Sequence, residues 1–250
     1  MTGPPHDGPG DGLPDWLQPV ARAAVSVRPE QLSGFLPPAE GGREGAVLML
    51  FGEGDSGPDV LLIERAHDMR SHAGQMAFPG GAVDPEDADA VAAALREAVE
   101  ETGLDPAGVE VFATLPALFL PPSGFVVTPV LAWWRSPGAV SAVDPREVAS
   151  VHRVPVRDLL DPVNRLRVRH PSGYVGAAFR LGDLLVWGFT AGLLDRLLRL
   201  AGWEQPWGDA PPEDLSPELS RLAGRTDVSA ADVSAADVSA ADVSAAEVTG

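Results

Sequence analysis

Three glutamates fall within five residues in the run Arg96-Glu97-Ala98-Val99-Glu100-Glu101-Thr102-Gly103-Leu104. On a helix, Glu97, Glu100 and Glu101 stand at i, i+3 and i+4 and share one face. Leu95, Val99 and Thr102, with Ala98 beside them, form the face expected to pack on a sheet. Carboxylates on adjacent turns repel, and an ordinary surface helix alternates its signs instead. Clustering them is favourable where divalent cations sit between, because hard cations such as Mg²⁺ take oxygen ligands. Taken alone, the run is equally compatible with a solvated acidic face.

The flanks define the helix and the turn before it. Asp84, Pro85, Asp87 and Asp89 suit N-cap and first-turn positions, so the helix starts at Asp84 or Asp89 and runs to Thr102. Gly103 suits the position just past its end. Upstream, Phe78-Pro79-Gly80-Gly81 ends an apolar stretch, and its two glycines let the backbone approach a ligand or a neighbouring helix closely. Ala46–Phe51, Val60–Glu64, Val109–Leu115, Val126–Trp134, Val148–Val154 and Leu166–Arg169 read as strands, and Phe189–Leu200 as a final helix. Such an order predicts an α/β fold, a sheet packed between helices.

With both halves in view, the chain resembles the Nudix hydrolases, whose signature is G-x5-E-x7-R-E-U-x-E-E-x-G-U, with U a bulky aliphatic residue. Arg96, Glu97, Glu100, Glu101, Gly103 and Leu104 match, and Ala98 is smaller than the first U. The first half departs: with residues 82–86 between, Gly81 is followed by Asp87 in place of glutamate, and eight residues rather than seven separate it from Arg96. The first acidic position is therefore open among Glu86, Asp87 and Asp89. The lead-in, Leu61 to Gly81, is similar to the extended motif of the coenzyme A diphosphatase branch, L-L-[TF]-x-R-[SA]-x3-R-x3-G-x3-F-P-G-G. Leu61, Leu62, Arg65, Ala66, Arg70, Gly74, Phe78, Pro79, Gly80 and Gly81 match, and Ile63 departs. Asp144-Pro145-Arg146-Glu147-Val148 and Trp187-Gly188-Phe189-Thr190-Ala191 extend the resemblance over about residues 46–200.

The resemblance implies a Nudix-type α/β/α sandwich with a mixed β-sheet. It implies Mg²⁺ or Mn²⁺ held by Glu97, Glu100 and Glu101, and Arg96 holding those glutamates. The general base is Glu100, Glu101 or Glu147. The substrate it implies is coenzyme A or a derivative, cut to 3′,5′-ADP and 4′-phosphopantetheine. Arg65, Arg70, Gln75, Gly80 and Gly81 are the expected substrate contacts: arginine forks onto phosphate oxygens, and His72 and Gln75 add hydrogen bonds. Arg65 and Arg70 can equally pair with Glu64, Asp68 or the helix glutamates. Phe119, Leu120, Pro121, Pro122, Phe125 and Trp187 are candidates for an apolar path along the pantetheine arm. A diphosphatase for ADP-ribose or a dinucleotide is the rival within enzymes, and a non-catalytic nucleotide-binding module the rival outside them.

Composition narrows the partners. A net charge of −18 repels nucleic acid and anionic membranes, so neither is expected. All 18 basic residues are arginine. Without cysteine there is no thiolate site and no thiol nucleophile. No P-loop, nucleophile elbow or histidine metal spacing occurs. With no secretory signal and no apolar run of roughly 18 residues, a cytoplasmic protein is expected. The domain is placed at residues 45–205. Residues 1–44 form a Pro- and Gly-rich, partly disordered extension whose apolar segment, Trp16–Val27, holds a helix outside the core. Residues 206–250 form an acidic tail with four Asp-Val-Ser-Ala-Ala repeats, Asp227–Ala246, read as disordered because a five-residue period builds no apolar face. The oligomeric state is not legible.

Overall fold

The computed structural model describes residues 12–38, 41–67, 74–121, 123–208 and 210–215. Among them, β1 (Arg43–Gly54) and β2 (Gly57–Arg65) form an antiparallel hairpin. β3 (Met76–Ala77) pairs with β2, and β4 (Gly80–Ala82) pairs antiparallel with β1. β5 (Val109–Thr114) and β6 (Leu118–Leu120) run antiparallel to β7 (Phe125–Trp134), which lies parallel to β1. β8 (Val148–Pro155) pairs with β2. A second sheet holds β9 (Arg165–Arg169), β10 (Val175–Leu181), β11 (Leu184–Val186) and β12 (Glu213–Asp214), in the order β11-β10-β9-β12.

The helices are α1 (Gln18–Ser26), α2 (Pro29–Leu32), α3 (Ala90–Thr102), α4 (Val156–Leu160) and α5 (Gly188–Leu200). Strand alternation feeds two cores. Ala46, Leu48 and Leu50 of β1, with Leu61, Val130, Ala132 and Trp134, pack against Ala93, Ala94 and Ala98 of α3. Met49, Phe51, Val60, Leu62 and Leu131 face the opposite way, onto α1 and α5. Because side chains alternate sides along a strand, one mixed sheet is covered on both faces. The fold is the α/β/α arrangement predicted from the order of elements. No helix among the described residues is long and apolar enough to cross a membrane.

Three expectations are corrected. Trp16–Val27 does hold a helix, but Leu13, Leu17, Val20, Ala21 and Ala24 are buried in the main core, with Trp16 6.3 Å from Trp203. Pro and Gly around the segment hid an apolar stripe that matches α5. On α3, Val99 is 36% exposed, whereas Glu101 is buried. The sheet-facing row is Ala94, Ala98 and Glu101, at i, i+4 and i+7, so the acidic face and the packing face overlap. Residues 210–215, counted with the tail, reach the second sheet: β12 pairs with β9, Leu215 is buried, and Arg180 pairs with Glu213 at 2.7 Å. Nearby, Arg165 is buried and pairs with Asp195 and, at 3.1 Å, with Glu204. The repeat tail lies outside the described residues.

If the N-terminal segment belongs to the core, Leu17→Ala should lower the unfolding free energy by about 2–5 kcal/mol in urea denaturation. A change below about 0.5 kcal/mol, the size of an ordinary surface substitution, would detach it.

Candidate active site

The site assembles where α3 passes under the β4 turn. Asp89 caps the helix, its carboxylate accepting from the Ala92 N–H at 2.8 Å, and Gly103 ends it in the left-handed conformation at φ 68°. These caps fix the phase of α3 and hence the direction of its glutamates.

Arg96 organises the acids. Its Nε donates to Asp87 Oδ1 at 3.0 Å and its Nη2 to Asp87 Oδ2 at 2.9 Å, a two-pronged fork. Nη2 also donates to the Ala82 carbonyl at 3.1 Å. Nη1 donates to Glu97 Oε1 at 3.0 Å and Glu100 Oε2 at 3.1 Å. Of the three acidic positions left open, Asp87 therefore holds Arg96 and Asp89 caps the helix. The guanidinium holds the Asp87 carboxyl below the usual range. The Ala82 carbonyl was not foreseeable, because a backbone acceptor leaves no trace in residue type.

Glu97 and Glu101 differ from Glu100. Glu100 is 57% exposed at its side chain; Glu101 is 7% exposed. Burial pushes Glu101 up to about 7, with Glu97 and Glu147 adding repulsion, against the opposing pull of the Gly80 N–H and Arg65. The Gly80 N–H donates to Glu101 Oε2 at 2.9 Å, and Arg65 Nη1 lies 3.9 Å from Glu101 Oε1. Burial likewise raises Glu97, partly offset by Arg96. A Cβ on Gly81 would lie 2.4 Å from Glu97 Oε1. The glycine pair is thus a close approach to the neighbouring helix.

Of the other expected residues, Arg65, Gln75 and Glu147 lie near this core. Arg65 pairs with Glu101 rather than with Glu64, whose carboxylate is taken by Ser150 Oγ at 2.6 Å and His67 Nε2 at 3.2 Å. Arg65 Nε is buried without a hydrogen-bond partner among the described residues. The Gln75 carbonyl accepts the Arg65 N–H at 3.0 Å. Glu147 is exposed, on the segment entering β8, and close enough to Glu101 to repel it. Arg70, His72, Asp68 and Pro122 lie outside the described residues. Leu120 and Phe125 are cross-strand partners, whereas Trp187 stacks on His170 at 6.2 Å and packs with the second sheet's cluster. The apolar path is therefore not one continuous wall.

The donor set fits a hard divalent cation. All the donors are carboxylate oxygens; Glu97 and Glu147 add to the raised proton affinity of Glu101, and Glu100 adds to that of Glu97, a repulsion that a cation would offset. As the side chains stand, Arg96 and Gly80 engage them. No three His, Asp or Glu side chains among the described residues close around one point.

Comparison with known proteins identifies the family. The NUDIX domain family model matches residues 42–174. The uncharacterized Nudix hydrolase NudL of Citrobacter koseri is 41% identical over 151 residues, covering 56% of this chain and 73% of that protein. Its Escherichia coli K12 counterpart is 39% identical over the same shares. A crystal structure of the Nudix hydrolase RenU from M. smegmatis aligns with 68% of this chain and 91% of its own, at 21% identity and TM-score 0.48. The chain belongs to the Nudix family, a class whose members use divalent metal.

The two glycines should separate in mutagenesis. Gly80→Ala brings a Cβ within 2.3 Å of the Ala46 carbonyl, a backbone atom that cannot yield. It should cost about 1–3 kcal/mol of stability. Gly81→Ala meets the movable end of Glu97. Its melting temperature should stay near wild type while turnover falls at least about tenfold. Equal melting losses in both variants would remove the distinction.

Proposed function

We propose that the chain hydrolyses the diphosphate linkage of a nucleoside diphosphate derivative, with Mg²⁺ or Mn²⁺ held by Glu97, Glu100 and Glu101. The observation that carries the reading is the gathering of Glu97 and Glu100 by Arg96, with Glu101 held beside them by the Gly80 N–H. When bound, the cation neutralises phosphate charge and acidifies water.

The chain's own groups do the rest. Arg96, braced by Asp87 and the Ala82 carbonyl, is a positioning residue for Glu97 and Glu100. The Gly80 N–H fixes Glu101. Arg65, whose Nε has no hydrogen-bond partner among the described residues, carries the charge and the fork that suit a phosphate oxygen of the substrate. Arg70 and Gln75 are proposed to share that contact. The water oxygen bonds to one phosphorus, the bridging P–O bond breaks, and the other phosphate leaves. Glu100, Glu101 or Glu147 takes the water proton. A binding module would need no such acidic cluster, which disfavours the non-catalytic reading.

Within this class, coenzyme A is the finer reading, and it rests on the resemblance of Leu61–Gly81 alone. Family membership supports the broader class, to which ADP-ribose and dinucleotides also belong. Two measurements follow. Glu100→Gln and Glu101→Gln should each reduce kcat by roughly 10² or more at saturating Mn²⁺. Near-wild-type turnover in both would sink the site. Across a substrate panel, coenzyme A should show the highest kcat/KM. Faster cleavage of ADP-ribose would defeat the coenzyme A assignment and leave the diphosphatase.

A further inference from the structure

We propose that Asp144 is a positioning residue: the turn it starts holds the Glu147 carboxylate beside the acidic helix, as the base that takes the proton while the water oxygen bonds to phosphorus and the bridging P–O bond breaks. The proposal rests on the diphosphate hydrolase reading and chooses among its three candidate bases.

Residue type dictates the turn. Asp144 opens it and Pro145 follows, the residues favoured at the first two positions of a type I turn. The Asp144 carbonyl accepts from the Glu147 N–H at 3.0 Å and from the Val148 N–H at 3.0 Å. Asp144 Oδ1 accepts from the Arg146 N–H at 2.9 Å, so the side chain closes the turn from within. Arg146 also forks onto this carboxylate, its Nη2 2.6 Å from Oδ2, but its side chain is 88% exposed, and such a pair contributes little to stability.

Both flanks of the turn are tied to the site. Before it, the Ser141 N–H donates to the Thr102 carbonyl at 3.0 Å and the Val143 N–H to the Glu101 carbonyl at 3.2 Å. The connection from β7 to β8 thereby satisfies the last carbonyls of α3. After it, the Glu147 carbonyl accepts from the Ala66 N–H at 2.9 Å, next to Arg65, whose guanidinium pairs with Glu101. Val148 is fully buried, and the β2–β8 register shifts so that Arg65 faces Val148 while Glu64 faces Ser150. An irregularity of this kind re-aims side chains. One turn thus joins the C-terminal end of α3 to the end of β2, with Glu147 at its close.

The neighbouring acids leave Glu147 for the proton. Glu97 and Glu100 accept from Arg96, and Glu101 accepts from the Gly80 N–H. The Glu147 side chain is exposed and makes no hydrogen bond or ion pair among the described residues, yet its charge reaches Glu101. A carboxylate committed neither to a cation nor to an arginine can accept a proton from water.

The test is a double-mutant cycle on the full chain with Mn²⁺, using whichever of coenzyme A, ADP-ribose and a dinucleotide wild type cleaves fastest. Glu147→Gln should lower kcat roughly 10²-fold or more. Asp144→Ala should lower kcat about tenfold, with KM within about twofold of wild type. Asp144→Asn keeps the oxygen that closes the turn and should recover most of that loss. In the Glu147→Gln background, Asp144→Ala should cost less than about a further twofold, because the group it aims is gone. Mn²⁺ affinity of Asp144→Ala, measured by calorimetry, should stay within about twofold of wild type, since the proposed metal ligands lie on α3. A tenfold loss in both backgrounds, an Asn variant as poor as the Ala variant, or weakened Mn²⁺ binding would make Asp144 merely structural and overturn the proposal. Wild-type turnover in Glu147→Gln also overturns it and leaves the hydrolase reading standing. Wild type that cleaves none of the three compounds refutes the hydrolase reading, and the proposal falls with it.

Discussion

The contacts of Arg96 set the terms for the rest of the site. Two like charges about 5 Å apart repel by roughly 3 kcal/mol at an effective dielectric constant near 20, and neighbours on successive helical turns stand at about that spacing. Glu97 and Glu100 are held together by one guanidinium nitrogen, while the remaining nitrogens are committed to Asp87 and the Ala82 carbonyl. The loop before α3 is consequently part of the site's electrostatics. It supplies the anchor that keeps Arg96 from collapsing onto a single glutamate.

Glu101 obeys a different constraint. It lies on the sheet-facing row of α3, where Ala94 and Ala98 admit a close approach to β1. A carboxylate there loses water, and burial raises its proton affinity. The compensation comes from the Gly80 N–H and from Arg65 at the end of β2. Packing of α3 and alignment of its acids are thus one problem, because the small residues that seat the helix also bring Glu101 to the turn.

Much of this was legible. The span of α3, its caps and the spacing of its glutamates follow from residue types and intervals, since a helix fixes which positions meet. The strands β1, β2, β7 and β8 were legible as short apolar runs. The failures have physical reasons too. Spacing gives a shared face but not which side of it faces the sheet, so Val99 and Glu101 were assigned the wrong environments. The β10–β11 hairpin was missed, because Gly176, Ala177 and Ala178 carry too little side chain to show alternation. The N-terminal helix packs on β5 and α5, both far along the chain, and local pattern cannot report contacts that distant.

The charge balance constrains how so acidic a chain would hold the anionic substrate of the proposed function. Long-range potential opposes it, so attraction must be local and short-ranged. Among the described residues most arginines are tied to Asp or Glu, including Arg146 with Asp144 and Arg153 with Asp59. Cations spent in this way steady the fold and contribute little to binding. Near the turn, Arg65 Nε is buried without a hydrogen-bond partner among the described residues, and Arg43 stacks on the Phe125 ring. On the proposed function, a divalent metal supplies most of the countercharge, and the guanidinium groups near the turn add only local, short-ranged attraction.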